Sequence, residues 1–108
     1  MGLTKTDQFS KEQNHLAAMA KAIAHPARIA ILEHLFKMDT CVCGDIVEEV
    51  GLAQATISQH LKALKEARLI KGNTEGAKVC YCIDKSNMND LSKMLSRFFQ
   101  SGCSTDCC

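Results

Sequence analysis

The stretch "IVEEVGLAQATISQHLKALKEARL", Ile46 to Leu69, constrains the fold more than any other. Apolar residues recur there at three- and four-residue steps on both sides of one glycine. The spacing predicts a short helix over Gly44–Val50, a left-handed stop at Gly51, and a second helix over Ala53–Ala67 with Ile57, Leu61 and Leu64 inward. Two amphipathic helices joined by a tight glycine turn are the outline of a helix-turn-helix.

The rest of the chain fits around that pair. At 108 residues it is long enough for one domain and short enough that much apolar surface stays exposed unless a partner covers it. Ser10 and Gln13 form an S-x-x-Q capping box that starts a helix running to about Ala24, with Leu16, Met19, Ala20 and Ile23 on one face. Pro26 suits the first turn of a helix to about Lys37, with Ile29, Leu32 and Phe36 inward. Asp39–Val42 is a connector, at most a minimal strand. "LIKGNTEGAKVCYCID" reads as two strands, Leu69–Lys71 and Lys78–Ile83, around a polar turn. A last helix, about Asn87–Phe99, carries a stripe of Met88, Leu91, Leu95 and Phe98. The expected class is mainly α with a small β-hairpin wing: a winged helix-turn-helix of five helices over residues 10–100. An N-terminal tail (1–9) and a cysteine-rich C-terminal tail (101–108) flank it.

Net charge is only +1, but it is unevenly spread. Lys62, Lys65, Arg68, Lys71, Lys78 and Lys85 oppose three acids between Gln54 and Lys85, whereas Asp39–Val50 holds four acids and no base. A locally basic segment on a near-neutral chain fits a DNA-contacting face. Gln54, Thr56, Ser58, Gln59 and His60 are of the types that hydrogen-bond base edges and phosphates from a helix in the major groove. Lys62, Lys65, Lys71 and Lys78 suit phosphates.

"AHPARIAIL", "VCGDIVEEVGLAQATISQHLKALKEARLI" and the basic hairpin ending in "VCYCID" together resemble, in order and spacing, the ArsR/SmtB family of winged-helix repressors. The resemblance spans about Leu16–Phe99 and is most specific over "QATISQHLKALKEARLI". It implies a homodimer on near-palindromic double-stranded operator DNA, repressing until an inducer loosens it. The stripe of Leu16, Met19, Ile23, Met88, Leu91, Leu95 and Phe98 would then be a shared face, as twofold DNA readers require. Arg68 departs from the glycine usual at that point of the family.

The chain has seven cysteines, an odd number, with strong helix signals and no export signal. Reduced cytoplasmic thiols follow from this better than a secreted disulfide framework does. They form three groups: Cys41/Cys43, Cys80/Cys82 and Cys103/Cys107/Cys108. Thiolates select soft ions. In the resembled family a C-x-C at the third helix is an inducer site, which implies As(III) or Sb(III), then Cd(II), Pb(II) or Zn(II), as ligand. Counted back from Gly51, Cys41 lies one residue too far, and Cys43 falls where many relatives place a core valine. The connector can pair with the wing strand, so Cys41, Cys43, Cys80 and Cys82 can converge. Small buried hydrophobes are the alternative for both pairs. An incidental tail is the alternative for the last three thiols.

The rival within the family is thiol oxidation. Relatives of that type place one cysteine near the position of Glu33 and another near Phe99 and Gln100, where this chain has none until Cys103. Asn87–Phe99 lacks histidine, which argues against a zinc site of Asp and His pairs on that helix. Outside this fold function, a cysteine-rich metal buffer is the other class in play. No C-x-x-C beside a strand-helix-strand unit, glycine-rich phosphate loop or Ser/His/Asp layout points to an enzyme, and no apolar run reaches the ~20 residues of a spanning helix.

Overall fold

The computed structural model describes residues 8–38, 40–44, 46–76 and 78–102. Its elements run α1 Lys11–Ile23, α2 Pro26–Met38, α3 Ile46–Val50, α4 Gln54–Glu66, β1 Ile70–Glu75, β2 Lys78–Ile83 and α5 Lys85–Gln100. Ser10 starts α1 as its side chain dictates: its Oγ accepts from the Gln13 amide, and Gln13 Oε1 accepts from the Ser10 amide, each at 3.0 Å. Gly51 closes α3 with φ 81° and donates to the Val47 carbonyl at 2.9 Å. The third helix is shorter than its pattern predicts, and the wing's first strand longer. None of the helices is long and apolar enough to cross a membrane, among the described residues.

The core gathers Ile31, Leu32 and Leu35 of α2, Val42 of the connector, Ile46 of α3, Ile57, Leu61 and Leu64 of α4, then Leu69, Ile70 and Leu91. Full burial of one such side chain contributes roughly 1.5–3 kcal/mol. Two expected core residues of α2 are not there. Ile29 is 42% and Phe36 53% exposed. Seven residues apart, they share a flank of α2 turned away from the Ile31–Leu35 face. Of the predicted apolar stripe, Leu91 is buried, Leu16, Met19, Ile23, Met88 and Leu95 are half-buried, and Phe98 is exposed.

The hairpin pairs β1 with β2 antiparallel, Ile70 opposite Ile83 through Glu75 opposite Lys78, and Gly76 takes φ 64° in the turn. On the other side of β2 the connector adds one rung. Val42 and Tyr81 exchange two backbone hydrogen bonds, of 2.7 and 2.8 Å. The entry to α3 is thereby tied to the wing.

Two contacts fix α4 on this body. At its inner face Arg28 Nε donates to His60 Nδ1 at 3.1 Å, while Arg28 Nη1 donates to the Ala22 carbonyl at 3.2 Å. One guanidinium thus joins α1, α2 and α4. His25 stacks on His60 with centroids 4.5 Å apart, and its own Nδ1 accepts from the Ala27 amide. At its end α4 closes in a Schellman motif: the Leu69 amide donates to the Leu64 carbonyl and the Arg68 amide to the Lys65 carbonyl. Leu64 and Leu69, the paired apolar residues of that motif, are both fully buried. Arg68 occupies the left-handed position with φ 63°, where glycine is usual. Its carbonyl accepts from Asn87 Nδ2 at 2.9 Å, which links the turn to the start of α5.

A left-handed non-glycine residue costs roughly 1–2 kcal/mol, and glycine gives back about 0.5–1 in backbone entropy. Arg68→Gly is therefore expected to raise the unfolding free energy in urea by about 0.5–1 kcal/mol.

His60 supplies a second expectation. Burial, and after it the charges of His25 and Arg28, hold its pKa below the ordinary imidazole value. A proton on Nδ1 would also remove the acceptor that Arg28 uses. The unfolded chain therefore binds the proton more readily, and stability falls as pH drops below about 6.5, through the lower folded pKa. Urea melts at pH 7.5 and 5.5 are expected to show this loss. His60→Asn, which keeps an acceptor near the Nδ1 position without titrating, is expected to flatten it.

Candidate nucleic-acid interface and sulfur cluster

The burial of α4 alternates with its sequence. Ile57, His60, Leu61 and Leu64 point in, and Gln54, Thr56, Ser58, Gln59, Lys62 and Lys65 are exposed. Gln54 Nε2 donates to Ser58 Oγ at 3.2 Å, so these two side chains are already oriented along one edge of the helix. Gln59 and Lys62 lie on the same outer surface. Lys65 lies against the wing: a Cβ placed on Gly72 would stand 3.2 Å from its Nζ. Lys78 is exposed near the hairpin turn. Together they give a helix with amide, hydroxyl and ammonium groups outward and a basic strand pair beside it.

One of the residues expected to touch DNA is turned inward, and another, exposed, borders the sulfur groove. His60 is only 8% exposed and faces Arg28 and His25. Its place in the Ile57–Leu61–Leu64 phase of the helix is the signal for this. Lys71 stands opposite Cys82 on the hairpin and lines a groove with it. Arg28 and His25, which set the position of α4, carried no motif by themselves and escaped the sequence reading.

The connector and β2 bring four sulfurs together. With Val42 opposite Tyr81, antiparallel pairing sets Cys41 opposite Cys82 and Cys43 opposite Cys80. Alternate residues on a strand share a face, so all four side chains lie on one side. Cys43 and Cys80 form a disulfide, their Cα atoms 3.9 Å apart. Cys41 and Cys82 are free thiols, both half-buried. The hydrogen bond between them is the main cause that raises the pKa of Cys82, with burial next. Asn73 Nδ2 lies 3.5 Å from Cys41 Sγ as a donor. Among the described residues no group of three or more His, Cys, Asp or Glu stands ready for an ion, and the bridge uses two of the four sulfurs. Of the two alternatives for Cys43, burial as a small hydrophobe does not hold: Val42 fills the core and Cys43 is exposed. Cys80 by contrast is 2% exposed. Cys103, Cys107 and Cys108 lie outside the described residues.

The free thiols line an open groove of about 1050 Å³. Its walls include Ile23, Phe36, Leu91, Leu95 and Phe99, with Cys41, Cys82 and Lys71 among its lining. Glu33 and Phe99 are both on this wall.

Comparison with known proteins agrees with this geometry. Residues 25–71, from His25 to Lys71, match the helix-turn-helix family described as "Bacterial regulatory protein, arsR family". The arsenical resistance operon repressor of Bacillus subtilis is 36% identical over 110 aligned positions, covering all of both chains. The transcriptional repressor PagR of Bacillus anthracis is 30% identical over 92 residues, 85% of this chain and 90% of that one. Among solved structures, NolR from Sinorhizobium fredii superposes with a TM-score of 0.67 at 25% identity, covering 92% of this chain and 96% of its own. A DNA-binding helix-turn-helix with a hairpin wing, matched end to end by a repressor of that family, places this chain in the ArsR/SmtB family of transcriptional regulators rather than among enzymes.

Proposed function

We propose that this chain is a homodimeric repressor that leaves its operator when cysteine thiolates bind a thiophilic metal or metalloid. The observation that carries the reading is the placement of the four sulfurs. Cys41 and Cys43 occupy the connector that leads directly into α3, and Cys80 and Cys82 occupy the wing strand that begins after α4 and β1. Anything that pulls these sulfurs together acts on both ends of the helix-turn-helix. Soft, thiophilic ions are the chemical class such a donor set selects. As(III) or Sb(III) comes first because the arsenical resistance operon repressor matches over the whole chain; Cd(II), Pb(II) and Zn(II) follow.

A second copy of the chain is the proposed occupant of the apolar groove. Phe98 is 58% and Phe99 71% exposed on the same helix as the buried Leu91, an unusual expense for a solitary protomer. Two copies joined there would present two α4 helices to successive half-sites. The tail cysteines are further candidate ligands.

A thiol-oxidation reading keeps a specific observation in its favour, the Cys43–Cys80 bridge. A metal buffer predicts ion binding with no effect on DNA.

The test is operator binding by fluorescence anisotropy with reduced protein, titrated with arsenite, Cd(II), Pb(II) and Zn(II). At least one ion is expected to lower operator affinity, and a flat response to all four would end the reading. On the DNA side, Lys62→Ala is expected to weaken all sequences alike and reduce the salt slope by about 1. Gln59→Ala is expected to cost about 1–3 kcal/mol of discrimination between operator and non-operator duplex.

A further inference from the structure

The four sulfurs are not equivalent, and the difference has a direction. Both cross-strand pairs flank the same Val42–Tyr81 rung, yet one is bonded and the other is a pair of thiols. Within the bonded pair, Cys43 is exposed and Cys80 is 2% exposed. A thiol reagent arriving from solvent reaches the sulfur of Cys43 and not that of Cys80. Exposed bridges of this kind are the exchangeable ones.

We propose that the cluster is one ion site with two exclusive states, gated by the Cys43–Cys80 bond. When reduced it offers four thiolates on one face to a single thiophilic ion, and when bridged it leaves only Cys41 and Cys82 and does not take that ion up. This deepens the reading above and rests on it. Only thiolates act as ligands, so a sulfur committed to a disulfide is withdrawn from the site. Two donors lining an open groove remain, half of a tetrahedral set.

Closure needs a two-electron oxidant, and a low-molecular-weight disulfide serves. The Cys43 thiolate attacks one sulfur of that disulfide, a mixed disulfide forms, and one small thiol leaves. The Cys80 thiolate then attacks the Cys43 sulfur, forming the bridge and expelling the second small thiol. Two protein thiols are oxidised and one disulfide is reduced to two thiols, with two protons passing from Cys43 and Cys80 to the leaving groups. Reopening runs in reverse, with attack on the exposed Cys43 sulfur. An oxidised chain is thus a repressor that no longer hears its metal, and reduction restores the response.

The experiment uses the full chain with Cys103, Cys107 and Cys108 replaced by Ser, so that only the four described thiols report. Cd(II) is titrated into reduced protein and into protein oxidised by a small disulfide, with the Cys43–Cys80 bridge verified by peptide mapping. Thiolate-to-cadmium charge-transfer absorption and operator anisotropy are read in parallel. The reduced form is expected to bind one Cd(II) per chain. The bridged form is expected to bind at least about 100-fold more weakly, since loss of an outer partner alone costs 10–100-fold and here two ligands are withdrawn. Cys43→Ser is expected to make binding indifferent to the oxidant. Equal cadmium affinity in the reduced and bridged forms overturns the gate and leaves the proposed function standing. Cadmium release of the operator from the seven-cysteine chain but no binding by the four-thiol chain overturns this site, again without touching that function. Failure of every ion to move operator binding in either chain overturns both.

Discussion

The Val42–Tyr81 rung is the constraint on which the rest depends. Two backbone hydrogen bonds attach the connector to β2 and so set a register. That register decides which sulfur meets which. A shift of one residue would send Cys41 and Cys43 to the opposite face and put Val42 outside the core. It also joins the first helix of the helix-turn-helix to the wing, across about forty residues of sequence.

The same economy appears in how α4 is held. Its outer face must stay free for polar contact, so everything that positions it acts from within or at its end. Arg28 spans α1, α2 and α4 through one guanidinium, and the Schellman turn at Arg68 delivers the chain into β1. Asn87 ties that turn to α5 through the Arg68 carbonyl, and Asp84 Oδ1 accepts from the Asn87 amide at the helix start. A shift of the α5 start is thereby felt at the end of α4 without passing through the core.

Much of this could be read from the residues. Gly51, the Ser10–Gln13 cap and the Ile57–Leu61–Leu64 phase are local signals, and the structure repeats them because each is settled by backbone geometry or helix period. The convergence of the four cysteines could also be seen, since strand alternation and winged-helix order suffice for it. What escaped was tertiary. His60 reads as polar and DNA-facing by residue type although it falls in the Ile57–Leu61–Leu64 phase, and the partners that let a polar ring turn inward, Arg28 and His25, lie more than thirty residues away. Ile29 and Phe36 read as core because helix periodicity cannot distinguish a face packed within one chain from one left open beside a groove. Counting from Gly51 places Cys43 where many relatives have a core valine, but the strand pairing counts from Tyr81, and that frame puts Val42 inside.

The proposed coupling between the sulfur cluster and DNA binding can be set against an energy scale. Cysteines two apart on a strand share a face but keep their sulfurs about two strand steps apart, so the proposed gathering of all four around one ion would bend the connector against β2. The contacts that hold the connector there are the Val42–Tyr81 hydrogen bonds, each worth about 0.5–1.5 kcal/mol net. Their sum is about 1–3 kcal/mol, the size of a typical coupling free energy between two sites. An ion held by several thiolates gains more than this, as structural zinc sites do at about 10–16 kcal/mol, so it can meet that cost and still bind. For the proposed site, linkage runs both ways: an ion that weakens operator binding is itself weakened by the operator by the same factor. A bridge between Cys43 and Cys80 acts in the opposite sense, because it fastens the two strands in the register the rung already sets. On the proposed reading, the same four residues loosen the helix-turn-helix when a metal gathers them and lock it when an oxidant closes the bridge.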